Sequence, residues 1–214
     1  MSIPSPAGVP APSASSALEN SGRIWVARFP TSKRVEDLEP NFRGSVKRFL
    51  GALADADVAI TISATLRPRQ RAYLMHYAWC IVQGKVAPGE VPAFVPRPGE
   101  QPVNIRWLHL DANQKPNAVA SLAAARDMVG GYQISNLHVA PSLTSLHMEG
   151  KAIDMTLSWD GELNIDDATG KTVTIRSMPR SGVNPELIKL GATYGVRHLI
   201  AVNKDPPHWS VNGH

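Results

Sequence analysis

Cysteine is almost absent from this chain. Cys80 is the only one in 214 residues, so no internal disulfide can form and a secreted scaffold held by disulfides is excluded. Long apolar runs are missing too. The longest apolar stretch free of charge, 58–66, falls far short of the roughly 20 residues a helix needs to cross a bilayer, so no membrane span is expected. Charge of one sign is scarce: 22 Lys and Arg stand against 18 Asp and Glu, a net +4 with His neutral. The basic residues are dispersed rather than clustered on one element, which argues against nucleic acid as a partner. The sequence pI near 9.4 suits an anionic polymer or surface. With 43% apolar and 19% charged residues, most of the chain can bury a core, and a wholly disordered chain is excluded.

Residues 1–22 are the exception. Pro4, Pro6, Pro10 and Pro12 alternate with Ala and Ser, a composition that reads as a disordered tail or linker. No Lys or Arg precedes an unbroken apolar stretch, so no classical export signal is read. The folded domain is expected over 23–214.

Within it, 23–29 (RIWVARF) alternates like a strand. Pro40 suits a first helical turn, and Phe42, Val46, Phe49, Leu50 and Leu53 recur at helical spacing, which predicts a helix over 40–55. The β-branched run 58–65 predicts a buried strand. A helix follows from Pro68 through Val82, with Gly84 as its left-handed cap. Five prolines between 85 and 102 forbid regular structure and predict a long loop. A short element is expected at 105–110, and a helix over 116–129 that Gly130-Gly131 stops. The remainder reads as strands at 132–139, 152–159 and 196–202, a hairpin around 168–171 and a helix over 184–194. Helices and strands mix without strict alternation, which points to an α+β fold.

The chemistry concentrates in Ser145-Leu-His147-Met-Glu-Gly150-Lys-Ala152-Ile-Asp154. In the strand that follows, Ile153, Met155, Leu157 and Trp159 share one face and Asp154 lies on the other. Gly150 lets the chain turn so that His147 folds back beside Asp154. Near the end stands Asp205-Pro206-Pro207-His208-Trp209. Its two prolines predict a polyproline-II path of about 3 residues per turn, which presents Asp205 and His208 on one side. A catalytic zinc takes three protein ligands and keeps a fourth position open, and two His with one Asp form a suitable set. A hydrolase also needs a base that takes a proton from water and returns it to the leaving amine, and Asp205 is placed for that role. Arg67, after the strand 58–65, is the candidate cation for stabilising an oxyanion.

Ser-x-His-x-x-Gly-x-Ala-x-Asp followed by Asp-x-x-His-Trp resembles the zinc D-alanyl-D-alanine carboxypeptidases, the vancomycin-resistance D,D-dipeptidases and the phage L-alanyl-D-glutamate endolysins. Arg67 and the segment Gly191-Ala-Thr-Tyr-Gly195-Val extend the resemblance over most of the chain after the tail. It implies a hedgehog/DD-peptidase-like fold with a central antiparallel sheet flanked by helices. It implies one zinc ion on His147, Asp154 and His208, Asp205 as general base, Arg67 polarising the scissile carbonyl, and Ser145 near the substrate. Asp rather than Glu as the base is closer to the endolysin branch. The implied activity is hydrolysis of an amide bond in peptidoglycan peptide stems, as an L-Ala-D-Glu endopeptidase or a D,D-carboxypeptidase, by a monomer. Made in the cytoplasm, such an enzyme would reach the periplasm or wall through holin-mediated lysis, as an endolysin, or through a secretion system, as an antibacterial effector. A zinc-containing module that binds wall fragments or a protein without cleaving them is the alternative.

Other residues read as ordinary. His76, His109, His138, His198 and His214 are assigned surface or satisfied core roles. Ser145, His147 and Asp154 do not form a serine-hydrolase triad, because no Gly-x-Ser-x-Gly elbow surrounds Ser145. Cys80 sits among apolar helical neighbours and reads as core. The tryptophans read mostly as core, with Trp209 as a candidate wall of the site.

Overall fold

The computed structural model describes residues 17–200 and 205–214. Within them, four α-helices and short strands form a mixed α and β architecture around a central antiparallel sheet. The helices are α1 (Pro40–Asp55), α2 (Arg69–Val82), α3 (Ala118–Gly131) and α4 (Pro185–Thr193). The strands are β1 (Glu19–Asn20), β2 (Ala59–Ala64), β3 (Ile105–Arg106), β4 (Ala152–Ser158), β5 (Leu163–Asp166), β6 (Thr172–Ile175), β7 (Arg197–His198) and β8 (His208–Ser210). The central sheet runs β2-β4-β8-β7, while β5 and β6 form the hairpin predicted around 168–171 and β1 pairs with β3 in parallel.

Helix α1 begins where the sequence places it. Pro40 occupies its first turn, and the Glu39 carboxylate accepts the main-chain N–H groups of Asn41 and Phe42, donors that lack helical partners. Phe42, Val46, Phe49 and Leu53 are buried against Ile153, Met155 and Leu157 of β4, Leu187 and Leu190 of α4, and Trp209 of β8. A second cluster joins α2 and α3 through Leu74, Ala78, Trp79, Ala125 and Met128, with Trp25 and Trp107. All five tryptophans are buried, as is Cys80, whose thiol pKa is pushed up by burial.

Several local expectations are corrected. Residues 23–29 form a 3-10 turn (Arg23–Trp25) and bends rather than a strand, with Trp25 turned into the second cluster. Ordered chain also starts before residue 23. Glu19 N–H donates to Asn104 O at 2.8 Å and Ser21 N–H to Arg106 O at 2.9 Å, main-chain pairing that leaves no side-chain pattern to read. The rest of the expected tail, 1–16, lies outside the described residues. Helix α3 runs through Gly130 and Gly131, and Gln133, with φ 59°, takes the left-handed position beyond it. Gly131 answers to packing: a Cβ there would stand 2.7 Å from Val26 Cγ2. Residues 132–139 cap that helix and turn instead of forming a strand. Of 196–202, only Arg197–His198 is strand, and 201–202 lie outside the described residues.

Gly150 is the turn on which the site depends. Its φ of 65° lies in the left-handed region, its carbonyl accepts Glu39 N–H at 2.9 Å, and a Cβ would stand 2.8 Å from Glu39 N. Gly161 has a similar φ of 69° with nothing within 4 Å of its Cβ position. Gly161→Ala is therefore expected to lose about 1–2 kcal/mol from backbone conformation alone. Gly150→Ala should lose a further 1–3 kcal/mol or so, because main chain rather than a flexible side chain must move. Urea unfolding of the two variants checks this, and equal losses would contradict the packing argument.

Candidate metal centre

The site forms where β2, β4 and β8 meet. Asp154 of β4 is the direct cross-strand partner of His208 in β8, and Ile153 is the partner of Trp209. Successive side chains point to opposite faces, so this register sends Asp154 and His208 to one face together and Ile153 and Trp209 into the core. Trp209 is accordingly 0% exposed and packs against Phe49 and His198, which overturns the expectation that it walls the site. A register irregularity between Ile62 and Ala64 brings Ala64 opposite Asp154, the kind of bulge that re-aims a strand end.

His147 arrives from the 3-10 helix Leu146–Glu149. The Ser145 hydroxyl accepts its main-chain N–H at 3.3 Å and caps the turn, and the His147 carbonyl accepts the N–H of Arg67 at 3.0 Å. Its ring stands steeply against that of His208, with centroids 5.0 Å apart and planes at 71°. His147 Nε2 lies 3.0 Å from Asp154 Oδ1 and 3.2 Å from His208 Nδ1, and His208 Nδ1 lies 3.1 Å from the same oxygen. A tetrahedral zinc with bonds of 2.0–2.1 Å would hold its ligand atoms about 3.3 Å apart. The three atoms already form one face of that tetrahedron, to within a few tenths of an ångström.

The outer nitrogens explain why this triangle suits a cation. His147 Nδ1 donates to the Thr65 carbonyl at 2.8 Å, and His208 Nε2 to the His214 main-chain oxygen at 3.2 Å. Each neutral ring has one N–H, so these contacts leave His147 Nε2 and His208 Nδ1 as bare lone pairs aimed at a carboxylate. With both rings neutral, three acceptors face one another, and a divalent ion with nitrogen and oxygen preference satisfies all three; without an ion, a proton on an imidazole bridges to the carboxylate instead. His147 and His208 are buried, 3% and 8% exposed, and Asp154 is nearly so. Burial raises the Asp154 pKa, but its two imidazole partners outweigh that and hold the carboxyl well below its usual range. For His208, burial pulls the pKa down while the bond and charge of Asp154 carry it above its ordinary value.

A cleft of about 470 Å³ opens beside the triad, lined by Ser145, Glu149, Leu199, Asp205, His208 and His214 among others. Asp205 sits at its exposed edge, outside hydrogen-bond reach of the triad. Partial burial and the Asp154 carboxylate raise its pKa, against the pull of His208, His147 and Arg67. Pro206 and Pro207 form a turn rather than polyproline II: His208 N–H donates to Asp205 O at 3.0 Å, which closes four residues on themselves. The turn, not extended spacing, brings Asp205 beside its ligand neighbour. Arg67 is half-buried, outside the cleft lining, and makes no ion pair among the described residues.

Sequence reasoning missed the Thr65 carbonyl and the main-chain oxygen of His214, a residue assigned an ordinary role. Main-chain acceptors have no signature in residue type. Comparison with family models, with curated proteins and with solved structures finds no match.

The single triad among the described residues could hold one metal ion per chain, and zinc is the ion to test first. Asp154→Ala or His208→Ala should weaken binding beyond the roughly 10–100-fold that losing an outer-shell partner costs. Zinc at a thousandfold its Kd should add about 4 kcal/mol, or roughly 8–16 °C in Tm for a domain of this size. Calorimetry with and without a chelator checks both.

The pH dependences of the two forms have opposite signs. In the metal-free protein the raised pKa of His208 contributes stability that is present below its unfolded value of 6.5 and lost as pH rises through the folded value. Zinc requires deprotonated imidazoles, so loading improves over the same range. As pH rises above 6.5, that contribution of His208 to Tm should decline without metal, while the zinc-induced rise in Tm grows.

Proposed function

We propose that this chain is a zinc-dependent peptidase that hydrolyses an amide bond in the peptide stems of bacterial peptidoglycan, on a hedgehog/DD-peptidase-like fold. The observation that carries the proposal is the set of three bare ligand atoms at tetrahedral spacing, bordered by a cleft with a fourth, separate carboxylate at its edge. A structural zinc is typically enclosed by four protein ligands, whereas three ligands and an open side suit catalysis. When bound, zinc supplies a Lewis acid that polarises a carbonyl and lowers the pKa of water toward about 7.

The chain's own groups divide the remaining work. Asp205 takes a proton from the attacking water as its oxygen adds to the carbonyl carbon, then delivers that proton to the nitrogen as the C–N bond breaks. The raised pKa of Asp205 suits a group that must both accept and return a proton. Arg67 contributes positive charge toward the oxyanion; its guanidinium makes no ion pair among the described residues, its charge is felt at Asp205, and its main-chain N–H bond to the His147 carbonyl ties its backbone to the site, all of which support that role. Ser145 holds the His147 turn and lines the cleft that receives the stem peptide. The net charge of +4 favours an anionic wall polymer. Delivery by lysis or by a secretion system would bring the protein to that polymer.

Mass spectrometry of peptidoglycan digested with the zinc-loaded protein is expected to show a new D-Glu amino terminus or the loss of a terminal D-Ala. Asp205→Ala should keep one zinc and lose about 10²–10⁴-fold in turnover, and Arg67→Ala about 10²–10³-fold. Cleavage unchanged in Asp205→Ala would contradict the mechanism. One bound zinc without any cleavage would leave a binding module.

A further inference from the structure

We infer that His198 is a positioning residue, whose ring pins the turn carrying Asp205 and thereby sets where that carboxylate stands over the metal centre. His198 is 4% exposed, and its two nitrogens both face main-chain carbonyls: Nδ1 at 3.1 Å from Leu199 O and Nε2 at 2.8 Å from Pro206 O. This separates it from His147 and His208, each of which keeps one nitrogen bare. A carbonyl only accepts, so a neutral ring satisfies one of the two, and the shorter contact selects Nε2–H donating to Pro206. That bond joins positions eight apart in the chain, whereas Leu199 is the adjacent residue.

Pro206 lies inside the turn whose closing bond runs from His208 N–H to Asp205 O. With Pro at 206 and 207, two main-chain donors that would otherwise anchor this segment are missing. The carbonyls therefore carry the attachment: Pro207 O accepts Met155 N–H of β4 at 2.8 Å, and Pro206 O accepts the His198 ring. The first contact fixes the ligand side of the turn and the second fixes the Asp205 side. His198 is itself held edge-on against Trp209, ring centroids 4.8 Å apart, and strand pairing sets it opposite Trp209. A rigid, buried donor thus reaches from β7 to a segment that has few donors of its own.

The catalytic consequence rests on the peptidase reading; the structural one does not. The test compares the full chain with His198→Phe, which keeps a ring against Trp209 but has no donor, and with His198→Gln, whose amide nitrogen restores one near the Nε2 position. Hydrogen exchange of the His208 amide should run about tenfold faster in the Phe variant and return toward the parent rate in the Gln variant, with one zinc still bound. Exchange unchanged in His198→Phe would overturn the pinning whatever the activity. On peptidoglycan stems, kcat should fall by up to about 10²-fold in the Phe variant with KM unchanged, and recover in the Gln variant. Normal kcat in His198→Phe alongside faster exchange would overturn the link to Asp205. If the parent protein cleaves nothing, the function proposed above fails along with that link, and the exchange comparison still decides the pinning.

Discussion

The register between β4 and β8 is the constraint from which the rest follows. Pairing Asp154 with His208 places two ligand groups on one face and, one residue along each strand, buries Ile153 and Trp209 in the core beneath α1 and α4. The two consequences are inseparable, because side chains alternate with a period of two. A slip of one residue would expose Trp209 and turn His208 inward. The hydrophobic core thus enforces the geometry of the polar site: burying Trp209 against Phe49 contributes stability only in the register that assembles the ligands.

Around that pair, main-chain carbonyls orient the imidazoles. Thr65 at the end of β2 and His214 beyond β8 each take an N–H from a ring and leave the opposite nitrogen bare. His198 shows the contrast, since carbonyls flank both its nitrogens and it serves as a structural donor. Three buried histidines with different outer contacts therefore divide into two that face the Asp154 carboxylate, a set that could hold a metal ion, and one flanked by carbonyls. The left-handed turn at Gly150, docked against Glu39, links the start of α1 to the strand that carries Asp154, so the first helix and the site are set by one contact.

Much of this was legible in the sequence, for reasons tied to particular residues. Alternation in 152–159 separated Asp154 from its apolar neighbours, and Gly150 marked the turn that returns His147 to it. The spacing of Phe42, Val46, Phe49 and Leu53 fixed α1 to the residue. What escaped was whatever the main chain does without help from residue type. Residues 19–20 pair through backbone groups inside a segment whose composition suggests a tail. Two prolines permit either a turn or an extended path at 205–208, and only the bond from His208 N–H to Asp205 O distinguishes them. Residues 23–29 alternate like a strand but pair with no strand among the described residues, and Trp25 is drawn into the second cluster instead. His198 carries no motif, and its role depends on a carbonyl eight positions away.

The central claim is that His147 Nε2, Asp154 Oδ1 and His208 Nδ1 hold one divalent ion and leave a side open to the cleft. Diffraction from zinc-loaded crystals at wavelengths on either side of the zinc absorption edge tests it most directly. The account predicts a single strong anomalous peak about 2.0–2.1 Å from each of those three atoms, with no fourth protein ligand. An anomalous map without a peak there, or a peak closed off by a fourth side chain, would contradict it.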